Sequence, residues 1–138
     1  MRAADAAAVA ELTSQLGYPV DAAELASRAS EIRERTDGEI LLATDGDDRP
    51  IGWIHVAPHD TLEASRQAVI LGLVVEESRR SAGIGAELAT AAETWALDRG
   101  ATSILVRSRS TRVRAHRFYE RIGYVEVKRS HVFAKPLV

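Results

Sequence analysis

Residues 67–85 constrain this chain more than any other stretch. The segment 67–75, QAVILGLVV, is uncharged and rich in β-branched residues, with the length of a buried strand. It runs into a short turn carrying Arg80-x-x-Gly83-x-Gly85, after which Ile84, Leu88, Ala91 and Trp95 recur at helical spacing. Strand, glycine turn and helix must therefore follow one another directly. The two glycines remove the Cβ atoms that would keep a bulky anion away from the backbone. The unbonded N–H groups at the start of the helix then point at that anion, aided by the helix dipole. A phosphate-bearing ligand is the first expectation.

The flanking pattern builds a mixed sheet around this unit. Asp5 is placed to cap a helix reaching about Leu16, with Ala8, Val9 and Leu12 on the same face as Leu16. Asp21-x-x-Glu24 resembles a capping box that opens a second helix through Leu25, Ala29 and Ile32, closed by Asp37-Gly38. Residues 39–44 and 51–56 read as a hairpin around the polar loop 45–50. The helix after the glycine turn spans about 83–99 and stops at Gly100. A strand at 102–107, a helix at 113–122 ended by Gly123, and an antiparallel pair at 124–128 and 131–137 complete the chain, with a very short strand expected at 1–4. The fold class is α+β: a mixed, mostly antiparallel central sheet flanked by about four helices. At 138 residues the chain is read as one domain, 1–138, large enough to bury a core.

Composition removes several kinds of chemistry. With no cysteine, disulfides, thiolate catalysis and cysteine-ligated metals are excluded, and the four histidines lack metal-ligand spacing. No apolar run approaches the ~20 residues that a membrane span requires, and the first residues lack a signal-peptide pattern. A cytoplasmic protein with no membrane partner and no metal is expected. The net charge of −2 conceals a split: residues 1–78 hold 6 basic and 15 acidic side chains, residues 79–138 hold 12 and 5. The basic half suits phosphates, and the acidic half leans weakly toward a cationic substrate.

Three phosphate motifs must be separated. A P-loop needs Lys followed by Ser or Thr after its second glycine, whereas Ala86-Glu87 follows Gly85. A dinucleotide fingerprint needs a third glycine where Leu88 stands, and an N-terminal βαβ unit that this chain lacks. A second segment, Arg112-x-x-Ala115-x-x-Phe118-Tyr119-x-x-x-Gly123-Tyr124, lies about 30 residues downstream on another expected helix. Together the two segments resemble the GNAT superfamily of acetyl-CoA-dependent N-acetyltransferases. Arg80, Gly83 and Gly85 match its motif A; Ala115, Tyr119, Gly123 and Tyr124 match its later motif. The order of elements fits along nearly the whole chain.

The resemblance implies transfer of an acetyl group from acetyl-CoA to a primary amine, by direct attack within a ternary complex. It implies a cleft where the strands 70–75 and 102–107 splay apart, with the cofactor arm on the backbone of Leu73, Val74 and Val75. Arg80, Ser81, Ala82, Gly83, Ile84, Gly85 and Ala86 would hold the pyrophosphate, and Arg112, Ala115 and Phe118 would flank the cofactor from the later helix. A backbone N–H at Leu73 or Val74 would polarise the thioester carbonyl. Tyr119 matches the residue that protonates the departing thiolate, although it also belongs to an apolar stripe with Ala115, Phe118 and Ile122. Arg112 stands where the family often has Asn, within an arginine-rich stretch that includes Arg107, Arg109, Arg114, Arg117 and Arg121.

The general base stays open. The segment 67–70 has no carboxylate where many relatives place a Glu, which leaves His55, His59, Asp60, Glu63, a chain of waters, or an amine that arrives already neutral. The acceptor is an unidentified amine, with residues 17–19 and 57–66 expected near it, and dimerisation is common in the family. Trp53 and Trp95 are read as core. Two rivals remain: a degenerate fold that only binds acyl-CoA, and an arginine-rich RNA-binding helix. The second is disfavoured, since no aromatic residues alternate with the arginines for base stacking.

Overall fold

Strand β3 (Gln67–Val75) organises the fold. It pairs antiparallel with β2 (Pro50–Pro58) on one side and parallel with β4 (Ser103–Val106) on the other, and β2 pairs antiparallel with β1 (Glu39–Thr44). The order is β1-β2-β3-β4, the mixed, mostly antiparallel sheet that the sequence implies. The computed structural model describes every residue except Leu16, Ser65, Ser81 and 109–111. It divides into two compact units, Met1–Arg107 and Ser108–Val138.

In the first unit both faces of the sheet are covered, which is why β2 and β3 read as near-continuous apolar runs. Ile54 and Val56 of β2 and Ile70 of β3 are fully buried, each contributing about 1.5–3 kcal/mol relative to exposure. Helices α1 (Ala6–Ser14) and α2 (Ala22–Thr36) pack together on one face, and α3 (Ile84–Asp98) packs on the other. Gly52 marks the α3 face, because a Cβ there would meet Leu88 and Ile84. The buried stripe of α3 is Leu88, Ala89, Ala92, Trp95 and Ala96, whereas Ala91 is exposed. Alanines at 89, 91 and 92 fit either rotation of the helix equally well, so spacing alone chose the wrong one.

The helix ends follow local chemistry. The Asp21 carboxylate accepts the Glu24 N–H at 2.8 Å and caps α2, as its spacing implies. Asp37, with φ of 54°, supplies the left-handed residue that closes it. Asp5 does not cap α1. Its buried carboxylate instead accepts the Arg2 N–H at 2.8 Å and faces the Arg2 guanidinium at 3.3 Å, which hold it below the usual carboxylate range. In place of a strand at 1–4, Ala3–Asp5 forms a 3-10 turn, and the Met1 amino group donates to the Ile40 carbonyl at 3.2 Å.

The second unit contains α4 (Val113–Arg121), with Ile122 as its C-terminal cap and Gly123 in the left-handed region. The antiparallel pair expected at 124–128 and 131–137 is not formed: no strand is assigned after α4. Alternation supplies an apolar face but not a ladder partner, and Val125, Val127, Val132 and Phe133 stand at least 75% exposed. Among the described residues no helix is long and apolar enough to cross a membrane, and no cluster of three potential ligands could hold a metal.

Candidate active site

Strand β3 carries one residue too many. His55 of β2 faces Gly72, but the next residue, Val56, faces Ile70, which leaves Leu71 unpaired and 52% exposed. Such a bulge bends its strand and sharpens the local twist. The parallel ladder with β4 ends at this level, with Ile70 opposite Val106. From Leu71 onward, among the described residues, β3 pairs only with β2.

The backbone groups at that open edge can be assigned. The Glu76 N–H donates to the Ile51 carbonyl at 2.8 Å, and antiparallel strands turn successive residues to alternate edges. Val74 and Gly72 therefore bond β2, while Leu73 and Val75 turn their N–H and C=O groups the other way. Val74 contributes a buried side chain instead.

The glycine turn continues from this edge. After a 3-10 turn at Glu77–Arg79, Gly83 adopts φ of 82° as the N-cap of α3. That left-handed conformation suits glycine, and nothing lies within 4 Å of where a Cβ would stand. Among the described residues no side chain caps α3, and the Glu87 N–H is the first to find a helical acceptor, the Gly83 carbonyl at 3.1 Å. The N–H groups of Ile84, Gly85 and Ala86 are thus left for an anion. The Ala82 N–H is spent on the Arg79 carbonyl at 3.4 Å. Arg79 is bound to Glu76 at 3.1 Å and Asp45 at 3.7 Å, whereas Arg80 is exposed and makes no ion pair among the described residues. Ser81 lies outside the described residues.

The candidate bases separate by position. Residues 59–64 form a loop at the Gln67 end of β3, where His59 donates its N–H to the Gln67 carbonyl at 2.8 Å. The Asp60 carboxylate there accepts the Arg66 N–H at 2.7 Å and borders a cavity of about 230 Å³ with Trp95 and Arg99. Six strand residues, roughly 20 Å at 3.3 Å each, separate that end from Leu73. His55 instead sits level with the bulge, half-buried on the face opposite α3. Desolvation lowers its pKa below 6.5, so the imidazole is neutral at pH 7. Beside it the Trp53 ring lies over Gly72, where a Cβ would come within 2.7 Å of it. The Trp53–Gly72 contact was legible only as a glycine interrupting a buried strand, a sign of close approach or a bulge; here it marks both. Trp95 is buried in the core as expected, with the Arg99 guanidinium 4.0 Å above its ring.

Arg112, Ala115, Phe118 and Tyr119 come together on α4 of the second unit. Ala115, Phe118 and Tyr119 are half-buried, while Arg112, Arg114, Arg117 and Arg121 are exposed as a solvated face. Tyr119 meets Phe118 edge-on at 5.1 Å and Tyr124 at 5.7 Å. Burial pushes its phenol above the ordinary value of 10.0, against a smaller downward pull from Arg112, so it keeps its proton at neutral pH. Arg109 lies outside the described residues.

The sequence profile of the Acetyltransferase (GNAT) family matches residues 7–124. The chain belongs to the GNAT family. Its fold matches that of aminoglycoside 6'-N-acetyltransferase AAC(6')-IG from Acinetobacter haemolyticus, with a TM-score of 0.83 and 20% identity over 100% of this chain and 97% of that one. AAC(6')-Iy in complex with CoA gives 0.83 at 18% identity, over 99% and 96% of the two chains. A putative acetyltransferase from Agrobacterium tumefaciens gives 0.85 at 20% identity, over 98% and 96%. Among curated proteins none matches significantly. At these identities the structural likeness establishes the GNAT fold and leaves the acceptor open.

Proposed function

We propose that this protein is an acetyl-CoA-dependent N-acetyltransferase, a single domain over 1–138 that acts on a primary amine by direct attack in a ternary complex. The observation that carries this reading is the pair of backbone sets without partners among the described residues, one at the open edge of β3 and one at the start of α3. An extended, amide-bearing arm followed by a pyrophosphate meets those groups in the order in which CoA presents them. Leu73 and Val75 would bond the arm, and the N–H groups of Ile84, Gly85 and Ala86, with Arg80, would hold the pyrophosphate. The same proposal counts Ser81, Ala82 and Gly83 among the pyrophosphate-binding residues, and Arg112, Ala115 and Phe118 among those that would bind the cofactor. Bound acetyl-CoA supplies the acyl thioester; the Leu73 N–H is the donor best aimed at a carbonyl oxygen on that edge.

Tyr119 is assigned as the proton donor to the departing thiolate. Its place in the family motif and its retained proton support that role. A cytosolic setting, where acetyl-CoA is at hand, goes with this reading. So does a homodimer, since a second copy would cover the exposed apolar side chains of 125–137; sedimentation of the purified protein tests that point.

The acceptor is an amine of a small molecule or a protein. Because two of the structural relatives are named for aminoglycosides, an aminoglycoside belongs beside polyamines, lysine peptides and free peptide N-termini in a panel assayed by thiol release from acetyl-CoA. Turnover with any of these supports the enzyme. CoA binding without turnover on any would favour a degenerate, binding-only member of the family.

A further inference from the structure

Two ring nitrogens on one face of the sheet lack partners, and both belong to the strand beside the bulge. Trp53 Nε1 and His55 Nε2 are closed to solvent and have no hydrogen bond among the described residues. A buried polar atom left without a partner is costly, so their proximity calls for a reason. Trp53 and His55 stand two apart on β2 and project to the same side, opposite Val74 and Gly72 of β3.

Neighbouring strands lie about 4.8 Å apart, so the open edge of β3 is one strand beyond His55. On that face the intervening residue is Gly72, which offers no side chain as an obstacle. The space is filled by the Trp53 ring, at 2.7 and 2.8 Å from where a Cβ would be. His55 thus stands one strand in from the edge that presents the Leu73 N–H, with the Trp53 ring over the intervening Gly72.

We propose that His55 takes the proton from the acceptor amine through Nε2, and that the Trp53 ring seated on Gly72 is the cover the amine displaces to reach it. This rests on the acetyltransferase reading above. The acceptor's ammonium loses one proton to Nε2. Its nitrogen lone pair then forms the N–C bond to the acetyl carbon as the C–S bond breaks, with that electron pair leaving on sulfur. Tyr119 gives sulfur its proton, and the second proton that the nitrogen sheds on becoming an amide restores the phenol. His55 returns the first proton to solvent, so protons and charge balance.

The surroundings suit a neutral imidazole. Its cross-strand neighbours are Ile40 on β1 and Gly72 on β3, neither titratable. Glu11 of α1 and the charged residues of α2 (Glu24, Arg28, Glu31, Arg33, Glu34 and Arg35) are all exposed. Burial alone moves its pKa, and it moves it down. Among the described residues of the first unit no other base candidate stands at this level of the sheet: residues 67–70 carry no carboxylate, and His59 and Asp60 lie in the loop at the far end of β3.

The test joins a titration to kinetics. Imidazole NMR on the protein without ligand should show His55 titrating below 6.5, with Nε2 unprotonated at pH 7. In His55→Gln, kcat/KM at pH 7 should fall by about 10²–10⁴-fold, and the acidic limb of the pH–rate profile should disappear. CoA affinity by calorimetry should not change, which also reports that the variant is folded. A His55 that titrates at or above 6.5 in the wild type overturns the proposal whether or not the variant folds. CoA binding with an unchanged acidic limb in His55→Gln overturns it alone. Absence of CoA binding by the wild-type protein would instead bring down the acetyltransferase reading, and this proposal with it.

Discussion

The ring of Trp53 occupies the space that a side chain at position 72 would need, 2.7 Å from where its Cβ would stand. Gly72→Ala must therefore push the ring off β3, since the far end of a side chain yields before backbone does. That shift would uncover the neighbouring imidazole, and the His55 pKa should rise toward 6.5. Imidazole NMR on the variant checks this; an unmoved His55 titration would mean that Trp53 does not shield it.

His55 also makes stability depend on pH in a defined direction. Its folded pKa lies below the unfolded value of 6.5, so between those two values the unfolded chain binds more protons. Stability should fall as the pH drops through 6.5 toward the folded pKa, with nothing further lost to this group below it. Melting curves from pH 7.5 to 5 should slope more steeply in the wild type than in His55→Gln. Parallel slopes would show that the imidazole is not desolvated as described.

Gly83→Ala puts a Cβ on a residue at φ of 82°. The left-handed conformation should cost about 1–2 kcal/mol of stability, and the open space above the turn would be narrowed where the anion sits. Denaturant unfolding and CoA calorimetry should both register the change. Undiminished CoA affinity in a folded Gly83→Ala protein would place the pyrophosphate elsewhere.

Tyr119→Phe removes one oxygen and leaves the edge-on packing against Phe118 and Tyr124 in place. A proton donor lost in this way should lower kcat by about 10²–10⁴-fold with CoA affinity intact. An unaltered kcat would reduce Tyr119 to a packing residue.

Much of the first unit could be read from residue order, because its signals are local. Strand β3 begins and ends where its uncharged run does, and the Asp21 cap and the Gly83 turn each depend on a few neighbouring residues. What escaped depends on contacts remote in sequence. Nothing in the segment 67–75 says that Leu71 is the extra residue, since that needs the register of β2. For the same reason Leu73 and Val75 could not be told from Val74, and His55 could not be ranked above His59 or Asp60. Asp5 looked like a cap because Arg2, its actual partner, is an equally local choice. The tail 124–138 has the alternation of strands, but pairing is a property of two segments, and alternation describes only one.

The central claim is that the open edge of β3 and the start of α3 form one site for CoA. Isothermal calorimetry of the purified protein with CoA and with acetyl-CoA tests it most directly. Saturable binding of both at one site per chain, weakened in Gly83→Ala, is the expected result. No binding of either by the folded wild-type protein would contradict it.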